Sequence, residues 1–439
     1  MTTGLVTLAD WLTHLEALHP QGQAGIELGL ERVRAVKARL GQTQHCPVIT
    51  VGGTNGKGST CAYLENILGK AGYRVGCYTS PHLLAYNERV RINGVPVGDD
   101  ALCAAFDKVE AARLASGAAL TYFEFGTLAA WEVFAAAGIE AAVLEVGLGG
   151  RLDAVNVFDP DVAIVTTVAL DHTDWLGSDR EAIGFEKAGI YRAGKPALCA
   201  DPEPPQSLLA HAAAIGADLR LIGRDFGFAR PPADAAESRL QWQWWCKRGE
   251  RLLKRSLAYP GLRGPTQLAN AAVALAALEA IADKLPVTMQ AIRPGLIETE
   301  LAGRFQVLPG RPAMVLDVGH NPQAIKVLAD NLGGMGFFER THAVVGMLAD
   351  KDIAGALALL RGRVDVWHVA TLAGPRGATA EKLASIIAAG GLGGEVVCHP
   401  SVGAAMQAVK GEAGESDRIA VFGSFYTVAE ALLALRRKT

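Results

Sequence analysis

Apolar positions recur at helical spacing over Ala9–Leu18 and Leu28–Leu40, and both stretches are predicted as amphipathic helices. At Pro47–Val51 the period changes. Val-Ile-Thr-Val is a continuous apolar and β-branched run that ends in glycines, the pattern of a buried strand entering a turn. Helical spacing returns over Ser59–Ala71, and Arg74–Tyr78 predicts the next strand. The alternation continues with a helix at Leu128–Ala137 and strands at Ala141–Val146 and Val162–Val168. Strands alternating with helices predict a mainly parallel sheet covered on both faces, with ligands at the carboxyl ends of its strands.

Ser238–Leu257 breaks this rhythm. Gln241-Trp-Gln-Trp-Trp245 alternates polar and apolar residues, a charged turn follows at Lys247–Glu250, and a second apolar run completes an antiparallel hairpin, expected at a sheet edge. Its three Trp are read as packing. Thr266–Ala282 predicts an Ala-rich helix. After Val287–Thr299 the pattern resets, with strands at Ala313–Asp317, His342–Met347, Asp365–Ala370 and Ile419–Phe422. Helices are predicted at Gln323–Leu332, Ile353–Leu360 and Thr427–Arg437. The expected architecture is α/β: a P-loop-containing, mainly parallel sheet domain over residues 1–300, followed by a smaller Rossmann-like α/β domain over 301–439.

Composition narrows the class. The 439 residues suit two domains, half of them are hydrophobic, and the 50 glycines fit a loop-rich α/β enzyme. A formal net charge of -3 gives no basic field for nucleic acid, so anionic ligands would depend on local Lys, Arg and metal. The seven Cys form no C-x-x-C pair and read as small buried hydrophobes in a reducing cytoplasm. No signal peptide or membrane span is expected.

The strongest chemical signal is Gly52-Gly53-Thr54-Asn55-Gly56-Lys57-Gly58-Ser59. It leaves a predicted strand and opens a predicted helix. Glycines let backbone N–H groups turn toward phosphate oxygens, the helix N-terminus adds its dipole, and Lys57 a point charge. A glycine between the Lys and the Ser departs from the usual P-loop spacing. Glu145 ends a strand just before a glycine run. His172 also follows a strand; on its own residues it reads as structural. Asn270 reads equally as a helix cap, and Phe123 as core.

Gly-Thr-Asn-Gly-Lys-Gly-Ser resembles the phosphate loop of folylpolyglutamate synthases in the Mur ligase superfamily, whose other members usually have Thr directly after the Lys. Further segments strengthen the resemblance: Tyr78-Thr-Ser-Pro-His-Leu83 with Asn87-Glu-Arg-Val90, Leu144–Asp153, Leu170-Asp-His-Thr-Asp174, Glu186-Lys-Ala-Gly-Ile190, Gly303-Arg-Phe-Gln306 and Leu316–Pro322. Thr121-Tyr-Phe-Glu124 and Leu170–Gly177 look most like the bifunctional bacterial enzymes, which make dihydrofolate from dihydropteroate and extend the glutamate tail of reduced folates.

The resemblance implies an ATP-dependent carboxylate–amine ligase acting through an acyl phosphate, with L-glutamate as the amine. It offers Thr54, Asn55, Gly56, Lys57, Gly58, Ser59, Asn270, Arg304 and Asp317 for ATP. For magnesium, two ions being expected, it offers Ser80, Glu145, His172 and Lys187, the last as a carbamate. Lys57, His172 and Lys187 are the implied catalytic groups. For the pterin it offers Gly25, Ile26, Glu27, Thr121, Tyr122, Phe123, Glu124, Leu152, Asp153 and Ala154, and for glutamate Arg89, His320 and Ser424. Phe185 stands where relatives often have Arg, Gly319 and Gln323 replace a common Ala and His, and Pro260–Gln267 departs from the His-Gln pattern of some relatives. Arg304 and Asp317 lie beside the expected boundary, where domain closure would complete an ATP site and shield the acyl phosphate from water. The expected enzyme is a cytoplasmic monomer that binds neither nucleic acid nor membrane.

Two other classes fit less. A Mur-type peptidoglycan ligase needs room for a UDP-sugar, and only about fifty residues precede the phosphate loop. A P-loop ATPase without ligase chemistry leaves His172, Lys187 and the Asp317–His320 segment without a task.

Overall fold

The computed structural model describes residues 5–18, 27–230 and 241–436, which form two compact units. The first comprises Met1–Gly261 and Leu268–Thr299, the second Leu262–Gln267 and Glu300–Thr439. Gly25 and Ile26 lie outside the described residues. Among the described residues, no helix is long and apolar enough to cross a membrane.

The first unit is built on an eight-stranded sheet. Its strands are β1 (Val48–Gly52), β2 (Val75–Tyr78), β3 (Val90–Ile92), β4 (Val95–Pro96), β5 (Ala141–Glu145), β6 (Val162–Val165), β7 (Pro196–Cys199) and β8 (Asp218–Leu221). They lie in the order β4-β3-β2-β5-β1-β6-β7-β8, with only β3 and β4 antiparallel to their neighbours. Every residue of β1, β2, β5 and β6 is buried, as continuous apolar runs in a parallel sheet must be. Val51 pairs with Glu145 and Gly52 with Val165, so the three central strands end level with one another.

The helix Lys57–Lys70 follows β1 and packs on Met289–Ile297. Gly295 is seated against Ile67, where an added Cβ would come within 2.7 Å of the Ile67 Cα. Asn66 Nδ2 donates to Gly295 O (2.9 Å) and to Thr299 Oγ1 (3.2 Å).

The tryptophan hairpin forms, but away from the large sheet. β10 (Gln241–Arg248) and β11 (Arg251–Ala258) join β9 (Phe226–Ala229) in a separate three-stranded antiparallel sheet. Trp242 and Trp244 are buried, their indole N–H groups donating to Ala258 O and Ala272 O. Two helix boundaries also differ from the sequence reading. The helix before β5 begins at Tyr122 rather than Leu128, because Thr121 and Glu124 form a reciprocal capping box. Asp99–Ser116, left unassigned above, is helical, with Leu102, Ala105, Phe106, Val109 and Ala112 buried at helical spacing.

The second unit has one six-stranded sheet, β12 (Gln306–Leu308), β13 (Ala313–Asp317), β14 (Thr341–Val345), β15 (Val366–Ala370), β16 (Glu395–His399) and β17 (Arg418–Phe422). Its order is β12-β13-β17-β14-β15-β16, and all but β12 run parallel. The helix Val402–Glu412 packs on β14, β15 and β16. Beneath it, His342, His368 and His399 form a stacked row, with ring centroids 5.6 and 5.3 Å apart. Burial, with His399, His342 and Arg340 nearby, pushes His368 down to about 4.

Candidate active site

The carboxyl edge of the first sheet gathers most of the residues that the sequence points to. β1 ends in a loop that needs glycine twice. Gly53 has φ +135 and Gly56 φ +92; a side chain at Gly53 would overlap Thr166, and a Cβ at Gly56 would lie 2.5 Å from Asn270 Oδ1. Asn270 thus walls the loop, buried, from the helix Pro265–Ala280. The loop is braced by the residues after β6. Thr54 N donates to Thr167 O (2.7 Å), Asn55 N to Thr167 Oγ1 (3.2 Å), and Thr166 Oγ1 to Asn55 O (2.7 Å). Lys57 folds back over the loop, Nζ donating to Gly53 O (3.0 Å) and Thr54 O (3.2 Å). Gly58 lies in the first helical turn, and Ser59 is buried.

Glu145, the last residue of β5, is buried beside this loop's strand and accepts from Ser80 N at 3.2 Å. The structure therefore brings Ser80 and Glu145 together. His172 holds a left-handed backbone (φ +52) ahead of the short helix Thr173–Leu176. Its side chain is 37% exposed, with Nε2 4.0 Å from Asp171 Oδ1.

Lys187 is buried near the end of the helix Arg180–Ala188. Burial and the Lys57 charge push it down to about 7, against the pull of Asp171 and Asp153. The Gly149-Gly150 turn fixes this helix: Arg151 N donates to Glu186 O (2.8 Å), and the Arg151 side chain pairs with Glu186 Oε1. Asp153, also buried, is pushed up to about 7 by burial, although it accepts from Leu148 N and Val155 N and feels Lys57.

The residues named for the pterin divide. Thr121 and Glu124 cap their helix, and Arg32 ties Glu124 (2.8 Å) to Glu27 (2.6 Å). Burial holds Glu124 above the usual carboxylate range despite these bonds. Tyr122 and Ala154 are buried. Half-buried Phe123 covers Gly147, where a Cβ would meet its ring at 2.6 Å. Leu152 opens into a cleft of about 450 Å³ with Leu30, Arg34, Arg151, Asn156 and Arg192. Arg89 is buried under Tyr86 and Tyr122, and its Nε donates to His82 Nδ1 at 2.8 Å. Burial and Arg89 push His82 down to about 4.

In the second unit, β13 and β17 are neighbours, and their ends carry the remaining candidates. Asp317 is held above the usual carboxylate range by burial, while accepting from Phe305 N (2.9 Å) and Gly319 N (2.7 Å). Arg304 lies over the Phe425 ring at 5.4 Å. His320 Nδ1 is 3.0 Å from Val318 O. Ser424 is buried, its Oγ accepting from Thr427 N at the start of the last helix. The sequence reading did not single out Arg32, His82, Thr166 or Thr167. Arg32, Thr166 and Thr167 act on partners distant in the chain, whereas His82 lies inside the Tyr78–Leu83 segment, seven residues from Arg89, and only the fold turns the two side chains together.

Comparison with known proteins gives a consistent picture. Residues 51–200 match the Mur ligase middle domain, and residues 303–425 match the glutamate ligase domain of Mur ligases. The chain is 46% identical over 426 residues to the dihydrofolate synthase/folylpolyglutamate synthase of Escherichia coli, covering 97% of this chain and 94% of that one. The structure of E. coli FolC in complex with DHPP and ADP aligns with a TM-score of 0.89 at 45% identity, covering 99% of this chain and 98% of that one. A bifunctional folylpolyglutamate synthase/dihydrofolate synthase with Mn, AMPPNP and L-glutamate bound aligns at 0.87 and 46% identity, with 98% of each chain covered. A phosphate loop without Thr after its Lys, two Mur-type domain matches in order and near-half identity along nearly the whole length agree: the chain belongs to the dihydrofolate synthase/folylpolyglutamate synthase family of Mur-type ligases.

Proposed function

We propose that this chain is an ATP-dependent ligase that joins L-glutamate to dihydropteroate, giving dihydrofolate, and to the γ-carboxylate of reduced folates. The γ-phosphoryl group of ATP passes to an oxygen of the substrate carboxylate as its bond to ADP breaks. The glutamate amine then attacks the acyl carbon, a C–N bond forms, phosphate leaves, and the amine loses a proton. Full-length relatives named for both activities support this reading. The observation that carries it is the charge arrangement at the first sheet's edge: Lys57 over a phosphate loop, with Lys187 and Asp153 buried within its electrostatic reach.

In this reading the loop Thr54–Ser59 holds the phosphates, and Asn270, Arg304 and Asp317 the rest of the nucleotide. Glu27, Thr121–Glu124 and Leu152–Ala154, together with Gly25 and Ile26, form the pterin set. Arg89, His320 and Ser424 receive glutamate. Ser80 and Glu145 meet at the strand end, and their oxygens are donors that magnesium accepts. Ser80, Glu145 and His172 would hold one magnesium ion, and a carbamate on Lys187 a second. Bound there, these ions would neutralise phosphate charge during transfer. Lys187 suits carbamylation because burial and the Lys57 charge push its amine down to about 7, which leaves it neutral above that pH. We assign a cytoplasmic monomer; the seven unpaired cysteines support a reducing compartment.

The decisive assay is product mass after incubation with ATP, magnesium, glutamate and either dihydropteroate or a reduced folate. The expected product gains one glutamate residue per turnover on each acceptor. ATP hydrolysis with no amide product on either acceptor would overturn the assignment.

A further inference from the structure

The histidine row of the second unit has a geometry that packing does not require. His342 is near the start of β14, His368 in the middle of β15 and His399 at the end of β16. Parallel register sets Val344 beside His368 and Val397 beside His368, so each histidine sits two residues further along than its predecessor. The period of two keeps all three on one face of the sheet. The last residue of the covering helix, Glu412, reaches the same point.

The facing atoms converge. His342 Nδ1 and His368 Nε2 are 3.3 Å apart. Glu412 Oε1 lies 3.9 Å from the first nitrogen, and Oε2 3.6 Å from the second. A four-coordinate ion with ligands at about 2.0–2.2 Å sets neighbouring donor atoms about 3.3–3.6 Å apart. The two nitrogens already stand at that separation, and the flexible Glu412 side chain, which meets each through a different oxygen, needs an inward shift to set one oxygen against both. The two imidazoles are buried, while Glu412 is 38% exposed and leaves a way in from solvent.

The surroundings suit ligation as well. Metal-bound histidines are oriented by a partner on the other ring nitrogen, often a carboxylate. His342 Nε2 is buried without a hydrogen bond, yet Asp417 Oδ2 is 3.4 Å away. Asp417 is itself fixed by the N–H groups of Arg340 and Gly414. A proton on His342 Nε2 would leave the Nδ1 lone pair toward His368 and Glu412. On the far side, His368 Nδ1 is 3.1 Å from His399 Nε2, which can take its proton. Arg340 Nη1, 3.7 Å from Glu412 Oε1, competes for that carboxylate and must yield part of it.

We propose that His342, His368 and Glu412 form a binding site for a divalent transition-metal ion of the zinc class, with Asp417 and His399 orienting the two imidazoles and a water completing the coordination. Two imidazoles and one carboxylate favour zinc or cobalt over magnesium, which prefers oxygen. The site belongs wholly to the second unit and uses none of the residues assigned to phosphate transfer.

The test uses untagged full-length protein, stripped with chelator, with excess magnesium and AMPPNP present. Wild type should bind one Zn²⁺ per chain at this site, and one Co²⁺ with the strong visible bands of a four-coordinate complex. Glu412→Gln, an exposed position that should leave the fold intact, should weaken Zn²⁺ binding by more than about 100-fold and abolish the cobalt bands. Asp417→Asn should weaken it by about 10- to 100-fold. Zn²⁺ should raise the melting temperature of wild type and not of Glu412→Gln. A wild type without four-coordinate cobalt bands would show the histidines to be a hydrogen-bonded row only. Equal Zn²⁺ affinity in wild type and Glu412→Gln would also overturn the site.

Discussion

The two sheets carry their candidate residues at the same place, the carboxyl ends of central strands, and treat them differently. At the first sheet's edge charged groups of both signs are gathered around a phosphate loop. Lys57 donates to two carbonyls of its own loop, and buried Lys187 feels the Lys57 charge on one side and Asp171 and Asp153 on the other. At the second sheet's edge the polar groups are already satisfied locally. Asp317 is taken up by two backbone N–H groups and Ser424 by the start of a helix. A buried cation such as Lys187 costs stability and is held in place by the surrounding fold. The difference teaches that the first edge is prepared for anions, while the second is prepared to hold a shape.

Substitutions test that contrast, beginning where the effect should be greatest. Lys57→Ala should lower kcat/KM for ligation by about 10³-fold or more, with an unchanged circular dichroism spectrum and melting temperature. Near-normal turnover would remove the phosphate role and with it the contrast. Lys187→Ala should lower the rate by about 10²-fold, and short carboxylates should restore part of it by replacing the carbamate.

The same lysine gives a stability signature. Its folded value of about 7 lies below the ordinary 10.5, so the unfolded chain binds more protons between them. The contribution of Lys187 to stability should therefore rise with pH from about 7 to 10.5. Denaturant unfolding across that window should show the slope in wild type and a flatter profile in Lys187→Met. A carbamate would hide the slope, so the comparison is made on protein depleted of carbon dioxide.

Glu145→Gln should raise the magnesium concentration for half-maximal activity by about tenfold; an unchanged midpoint would move the cation elsewhere. The smallest effect should be on stability at Ser424. Ser424→Ala should cost about 1 kcal/mol through the lost helix cap, read by denaturant melts. A larger loss of activity than of stability there would show that the second edge also handles substrate.

Sequence made the first edge legible because its chemistry is built from neighbours. A strand, four loop residues and a helix start lie within a dozen positions, and the glycines that shape them are visible as letters. Glu145 and Lys187 were found through their motifs, but the burial and the Lys57 charge that push Lys187 down depend on segments meeting across the fold. The histidine row was not legible. Its members are 26 and 31 residues apart, and only strand register aligns them. β16, which carries His399, is a half-exposed Glu-Val-Val-Cys-His run without an apolar pattern. The hairpin of β3 and β4 was also missed, although Asn93 and Gly94, both with positive φ, are a strong turn pair.

The clasp between the helix Lys57–Lys70 and Gly295 sets an order on synthesis. Asn66 and its acceptor Gly295 are 229 residues apart. At translation rates of about 5–20 residues per second, the helix emerges roughly 10–45 s before its cover. During that time the Ile67 face has no Met289–Ile297 helix to pack against. Asn270, the wall of the phosphate loop, also arrives more than two hundred residues after Gly56. A nascent chain therefore cannot finish its nucleotide site until nearly all of the first unit has been made. Pausing or truncation before Thr299 would leave an incomplete and aggregation-prone intermediate, exposed to chaperones and proteases.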